Sequence, residues 1–101
     1  MSMTKQTGEA MMTQKCFAIA GELYGHLQDL LGFGDLVMFA PDKRMVSYRW
    51  TFKAQGKRYG IEETISFCEL EQMHSVEDFA KYLSGKWKGE YMAVTDEVVK
   101  R

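Results

Sequence analysis

The stretch KRMVSYRWTFKAQGKRYGIEETISFC, residues 43–68, decides the fold. Over residues 45–53, Val46, Tyr48, Trp50 and Phe52 alternate with Ser47, Arg49, Thr51 and Lys53. Period-two alternation of aromatic and β-branched residues with polar ones predicts a half-buried strand. Ala54-Gln55-Gly56-Lys57 supplies a turn, and residues 58–68 alternate again with Tyr59, Ile61, Ile65 and Phe67 on one side. A hairpin counted outward from Ala54 and Lys57 pairs Phe52 with Tyr59, Trp50 with Ile61 and Val46 with Ile65. On the opposite side Arg49 meets Glu62, and Ser47 meets Thr64. Such cross-strand pairs stabilise by about 0.2–1 kcal/mol each, and a one-residue slip would turn every aromatic to the wrong face. Glu63 alone fits badly, because it falls on the apolar face opposite Tyr48.

Before the hairpin, Cys16, Ile19, Ala20, Leu23, Leu27, Leu30 and Leu31 share one helical face, which predicts a helix from about Met12 to Leu31. Thr13 is its expected N-cap, and Gly32 with Gly34 its stop. Gly21 and Gly25 share one face within it, which fits a close helix–helix or helix–partner contact or, as the favoured reading, a sheet crossing nearby or simple imperfection. Residues 1–11 lack apolar periodicity and are expected as a flexible N-terminal tail, leaving 12–101 as a single domain. Asp35 to Ala40 is a short apolar strand, followed by Pro41-Asp42 at the centre of a type I turn. After the hairpin, Ser75 with Asp78 forms a capping pair that opens a second helix. Val76, Phe79, Ala80, Leu83 and Trp87 form its apolar stripe, and Gly85 or Gly89 ends it. Residues 90–95 fit either a fourth strand or further helix. The expected fold is α+β in the order α-β-β-β-α: a three-stranded antiparallel meander, four-stranded if the tail joins it, with two helices packed on one face.

A chain of 101 residues can bury a core without disulfide or metal staples. A net charge of -1 argues against attraction of the whole molecule to nucleic acid or anionic membrane. The charge is uneven, however: residues 1–42 carry two bases and five acids, 43–61 six bases and no acid, and 62–101 five bases and nine acids. Any electrostatic function is therefore local. No signal-peptide core opens the sequence, and no segment approaches the roughly 20 apolar residues of a membrane helix. A cytoplasmic setting without membrane contact is expected, with Cys16 and Cys68 as reduced thiols.

No catalytic motif is present. Gly32-Phe33-Gly34 lacks the spacing of a phosphate loop. Cys16 and His26, ten residues apart on a helix, miss a common face by about 80°. Cys68 and His74 match no structural-zinc spacing, so neither a metal nor another cofactor is expected. Cys16 lies on the core stripe, where a thiol is inert, and Cys68 on the polar side with no base beside it. Glu62 and Glu63 point to opposite faces, which argues against their acting as a carboxylate pair. Activity as an enzyme is not expected.

The order α-β-β-β-α resembles that of double-stranded RNA-binding domains in topology. Those domains begin their second helix with lysines, where Ser75-Val76-Glu77-Asp78 is acidic and repels phosphate. The hairpin is similar in outline to the three-stranded arm-binding domains of phage-type integrases, again without a shared motif, and neither family is assigned. The aromatics of the hairpin serve the core and are not free to stack on bases. A non-catalytic protein that binds another, unidentified protein is the expected function. Chains of this size without cofactor motifs are typical of accessory or regulatory factors, phage-encoded ones included, which is an association rather than a physical argument. The candidate surface comprises Arg49, Lys53, Lys57, Arg58, Glu62 and Thr64, with the 35–40 edge and the acids Glu69, Glu71, Glu77 and Asp78 as further candidates. A homodimer through the edge strand or the open sheet face is a second partnership of this kind. Nucleic acid gripped by the hairpin tip at Lys53, Lys57 and Arg58 is the alternative.

Overall fold

The computed structural model describes the backbone of residues 2–99 and the side chains of residues 14–95. A helix α1 (Ser2–Leu31) leads into strands β1 (Asp35–Asp42), β2 (Met45–Ala54) and β3 (Lys57–Ser66), then a short helix α2 (Phe67–Glu71) and a long helix α3 (Val76–Val99). The strands form one antiparallel sheet in the order β1-β2-β3. Both long helices contribute to a core on one face of that sheet, and the predicted α-β-β-β-α class holds.

The hairpin pairs as its alternation requires, with Phe52 opposite Tyr59, Trp50 opposite Ile61, Arg49 opposite Glu62 and Val46 opposite Ile65. Its turn places Gln55 at φ 50 and Gly56 at φ 79, the two positive values of a type I′ connection, whose twist matches that of the strands. Val46, Tyr48, Trp50, Phe52 and Ile65 are buried against Cys16, Ala20, Leu23, Leu27 and Leu31 of α1 and Ala80, Leu83 and Trp87 of α3. Tyr48 reaches through this core, its hydroxyl donating to the carbonyl of Ala20 at 2.7 Å. Glu63 does not bond to Tyr48; its Oε1 lies 3.4 Å from Nζ of Lys86 on α3, which accounts for an acid on the apolar face.

Several boundaries differ from expectation. The helical backbone of α1 begins at Ser2 and takes in most of the expected tail, so Thr13 is inside the helix and not its cap. Residues 2–11 contain one glycine and no proline to stop it. The β1–β2 turn is at Lys43-Arg44, not at Pro41-Asp42. Asp42 pairs with Met45, and its carboxylate accepts from the N–H of Arg44 at 3.3 Å. Pro41, unable to donate to a ladder, sits where the register shifts between Phe39 and Asp42, on an edge strand that tolerates it. The third strand ends at Ser66 and not at Cys68, because the Ser66 hydroxyl accepts from the N–H of Glu69 at 3.2 Å and caps α2.

Neither Gly85 nor Gly89 ends α3, and residues 90–95 are helical, not a fourth strand. Each glycine costs a helix about 1 kcal/mol. Trp87 is buried, and Tyr91, one turn on, packs 4.9 Å from the rings of both Phe33 and Phe52. Burying such side chains contributes about 1.5–3 kcal/mol each, which outweighs the glycines. Gly21 and Gly25 have open space beside their Cα atoms, so no close helix contact explains them.

Gly34 is different. At φ 77, a Cβ there would stand 2.5 Å from the carbonyl oxygen of Thr51 and 2.7 Å from Nε1 of Trp50. Gly34→Ala is expected to destabilise the fold by about 2–3 kcal/mol in urea denaturation, from unfavourable φ and steric conflict together. Gly21→Ala, set in open space within a helix, should leave stability unchanged or raise it by up to about 1 kcal/mol.

Candidate functional site

The pleat that fills one side of the sheet leaves the other side to solvent, and most of the predicted surface residues lie there. Arg49 and Glu62 are opposite one another, with Nη2 and Nε of the guanidinium 2.8 and 3.1 Å from Oε1 of Glu62. The same guanidinium lies 5.1 Å over the ring of Phe39 on β1. Arg49 is thus held from both neighbouring strands, by an ion pair on one flank and a cation–π contact on the other. Next along the strands, the hydroxyls of Ser47 and Thr64 are 2.7 Å apart, and Ser47 is buried despite facing outward.

The hairpin tip is divided. Lys53 and Arg58 are opposite each other on the outer side. Lys57, opposite Ala54, projects by strand alternation to the helix side, so the three bases do not form one outward cluster. None of the three takes part in a salt bridge among the described residues. Gly34, Asp35, Thr51, Phe52, Lys53 and Arg58 line a shallow cleft here, which mixes an acid with two bases.

Sequence reading named the 35–40 edge as a candidate but did not place its apolar residues on the outer face. Val37, Phe39 and Met45 are 48, 36 and 41% exposed. The signal was available: in an alternating strand, residues 37 and 39 must face away from 36 and 38, so an apolar run of that length cannot bury all its side chains on one side. The acids Glu69, Glu71, Glu77 and Asp78 are exposed on α2 and the first turn of α3.

The reactive groups elsewhere are placed for structure. Cys16 is buried, its thiol donating weakly to the carbonyl of Phe67 at 3.8 Å, and burial, with Glu71 adding to it, pushes its pKa up. Cys68 is exposed and accepts from the amide of Gln72 at 3.7 Å. Among the described residues no group of three His, Cys, Asp or Glu is arranged to hold a metal ion. No helix among them is long and apolar enough to cross a membrane.

The whole therefore defines an α+β layer with one closed and one open sheet face. Comparison with family models, curated proteins and solved structures finds no match to this chain.

Tyr48 gives the core a pH dependence. Burial raises its hydroxyl well above the ordinary value of 10.0, so the folded state favours the neutral phenol. The corresponding stability is present below the unfolded pKa of about 10 and is lost as pH rises beyond it. Wild-type stability should fall more steeply above about pH 10 than that of Tyr48→Phe, which at neutral pH loses about 1 kcal/mol with the hydrogen bond to Ala20. Parallel chemical denaturation series on the two proteins measure the difference; equal slopes would show that Tyr48 ionises freely.

Proposed function

We propose that this protein acts without catalysis by binding another protein on the outer face of its sheet, as an accessory or regulatory factor. The observation that carries the reading is the juxtaposition of exposed Val37, Phe39 and Met45 with an Arg49 already fixed by Phe39 and Glu62. Aromatic residues and arginine dominate the energetics of protein interfaces, and a pre-ordered arginine loses less entropy when a partner docks. The face mixes an apolar strip with hydroxyls and one internally balanced ion pair. It suits a folded protein surface with an apolar centre and a polar rim. The two unpaired thiols fit a cytoplasmic setting.

The test places a photo-cross-linking amino acid at position 37 or 45, and at Glu90 as a control, in the cells that make the protein. One partner trapped from positions 37 and 45, absent from Glu90 and lost when Phe39→Ser is added, is the expected result. Adducts that are the same from all three positions would count against the outer face.

A second reading rests on Lys53 and Arg58. Like charges directly opposite on a hairpin repel, and both bases here lack an ionic partner. A phosphate bound between them would relieve that repulsion, giving nucleic-acid binding through the tip. Two contacts on duplex DNA would yield a slope of log K against log[salt] of about -2. Fluorescence anisotropy at low salt, comparing wild type with Lys53→Glu/Arg58→Glu, should show weak binding or none. Tight, salt-dependent binding abolished in the double variant would favour this reading over the first.

A further inference from the structure

An edge strand leaves half of its backbone hydrogen-bonding groups without partners, and proteins ordinarily guard such edges with charge, proline or bulges. The two edges of this sheet differ. β3 carries Lys57, Arg58, Glu62 and Glu63, whereas β1 has no charge between Asp35 and Asp42. Only the far end of β1 is guarded, by Pro41 and the register shift beside it.

The tight turn at Gln55-Gly56 determines which groups of β1 are open. It makes Ala54 and Lys57 a hydrogen-bonded closing pair, so even-numbered residues of β2 bond to β3 and odd-numbered ones to β1. Asp35, Val37 and Phe39, opposite Thr51, Arg49 and Ser47, are therefore the β1 residues satisfied by β2. Leu36 and Met38, opposite Trp50 and Tyr48, direct their N–H and C=O groups outward, and Ala40 follows them where the register shifts. The hydroxyl of Tyr24 donates to the carbonyl of Leu36 at 3.0 Å, in keeping with that direction.

Side chains along the same edge are left partly uncovered. Phe17 of α1 and Met38 of β1 are 40 and 38% exposed. Open grooves run beside them, one lined by Phe17, Ala40, Asp42 and Lys43, the other by Tyr24, Leu36, Val37 and Met38. A fourth strand next to β1 would lie in this seam.

We propose that this strand is β1 of a second copy, paired antiparallel about a two-fold axis at Met38, so that two sheets become one of six strands. Charge at the ends of the strand selects the arrangement. Asp35 stands at one end, and Lys43 with Arg44 follows Asp42 at the other. With the axis at Met38, Asp35 falls opposite Pro41 of the second copy, beside its Asp42-Lys43-Arg44 end of net charge +1, whereas in-register parallel pairing sets Asp35 against Asp35. Between these ends both strands are uncharged, and each offers the other the same apolar chemistry.

Met38 lies on the axis and so exchanges both backbone bonds with Met38 of the second copy. Leu36 and Ala40 bond across on either side, the Leu36 carbonyl using its second lone pair. On the outer face Val37 lies opposite Phe39 of the second copy. The dimer uses the backbone edge of β1 and not the open face as a whole, although Val37 and Phe39 border both, and it joins two such faces edge to edge.

Sedimentation equilibrium of the full chain between about 1 and 100 μM, a range that reads micromolar dissociation constants, tests the pairing. The wild type should sediment with twice the chain mass. Met38→Lys, which sets two ammonium groups at the axis, should weaken association by about 100-fold or more while the thermal melt is kept. In a Cys68→Ser background, Met38→Cys should form an intermolecular disulfide on mild oxidation, because directly opposite Cα atoms lie about 5.5 Å apart. Val37→Cys should not, since Val37 faces Phe39 and not its own copy. A monomer at the highest concentration, a dimer indifferent to Met38→Lys, or cross-linking through Val37→Cys alone overturns the proposal. So does a monomer that instead captures an extended peptide of unrelated sequence, which would assign the edge to a different partner.

Discussion

The indole N–H of Trp50 donates to the carbonyl of Phe33 at 2.8 Å, across the turn that joins α1 to β1. That one bond ties the middle of the central strand to the place where the first helix stops. Gly34 follows, with so little room over Thr51 and Trp50 that no side chain fits. The ring of Trp50 lies parallel to that of Trp87 of α3 at 6.3 Å and within 5.2 Å of Phe33 and Phe52. Both long helices and the first two strands therefore take their positions from one fully buried side chain. Aromatic pairs of this kind add about 0.5–1.5 kcal/mol beyond burial of their area.

What the aromatic cluster does to the inner face determines what the outer face can be. Tyr48, Trp50 and Phe52 are buried in the core and Tyr59 packs on Phe52, so the hairpin's aromatics are engaged on the inner face. Its basic residues are then divided by the pleat. Arg49 is answered by Glu62, Lys57 projects to the helix side, and only Lys53 and Arg58 share the open side at the tip. The apolar part of the outer face lies on Val37, Phe39 and Met45, with Met38 exposed beside the β1 edge, and both proposed interactions draw on β1. A three-stranded sheet has two edges and one open face, and here the same short strand supplies the less charged edge and the apolar part of the face.

Much of the architecture was legible because the pattern was strong. Val46, Tyr48, Trp50 and Phe52 allow a single register against Tyr59, Ile61 and Ile65, and the structure has it. Cys16 to Leu31 keeps one apolar stripe that can only be a helix face. The limits of elements were less legible, since a helix end depends on what its neighbours cover. Gly85 and Gly89 read as stops until Trp87 and Tyr91 are seen packing into the aromatic cluster. The short helix at Phe67–Glu71 did carry a sequence signal in Ser66-Phe67-Cys68-Glu69, a capping spacing that strand alternation obscured. Of the candidate surface, Arg49, Glu62 and Thr64 were legible from parity, while Val37 and Phe39 were read only as part of a candidate edge, with no face assigned, and Met45 was not singled out.

The sequence alone determined the periodicities: which residues alternate, which recur at helical spacing, and so which side chains must share a face. These are local properties of backbone geometry, independent of anything distant. The tertiary structure decided everything that depends on a partner far along the chain. Glu63 found Lys86 23 positions on, Tyr48 found the carbonyl of Ala20 28 positions back, and Trp50 found that of Phe33 17 back. No periodicity encodes such meetings, because they arise only when helices and sheet are packed and buried polar groups must be satisfied by whatever lies within reach.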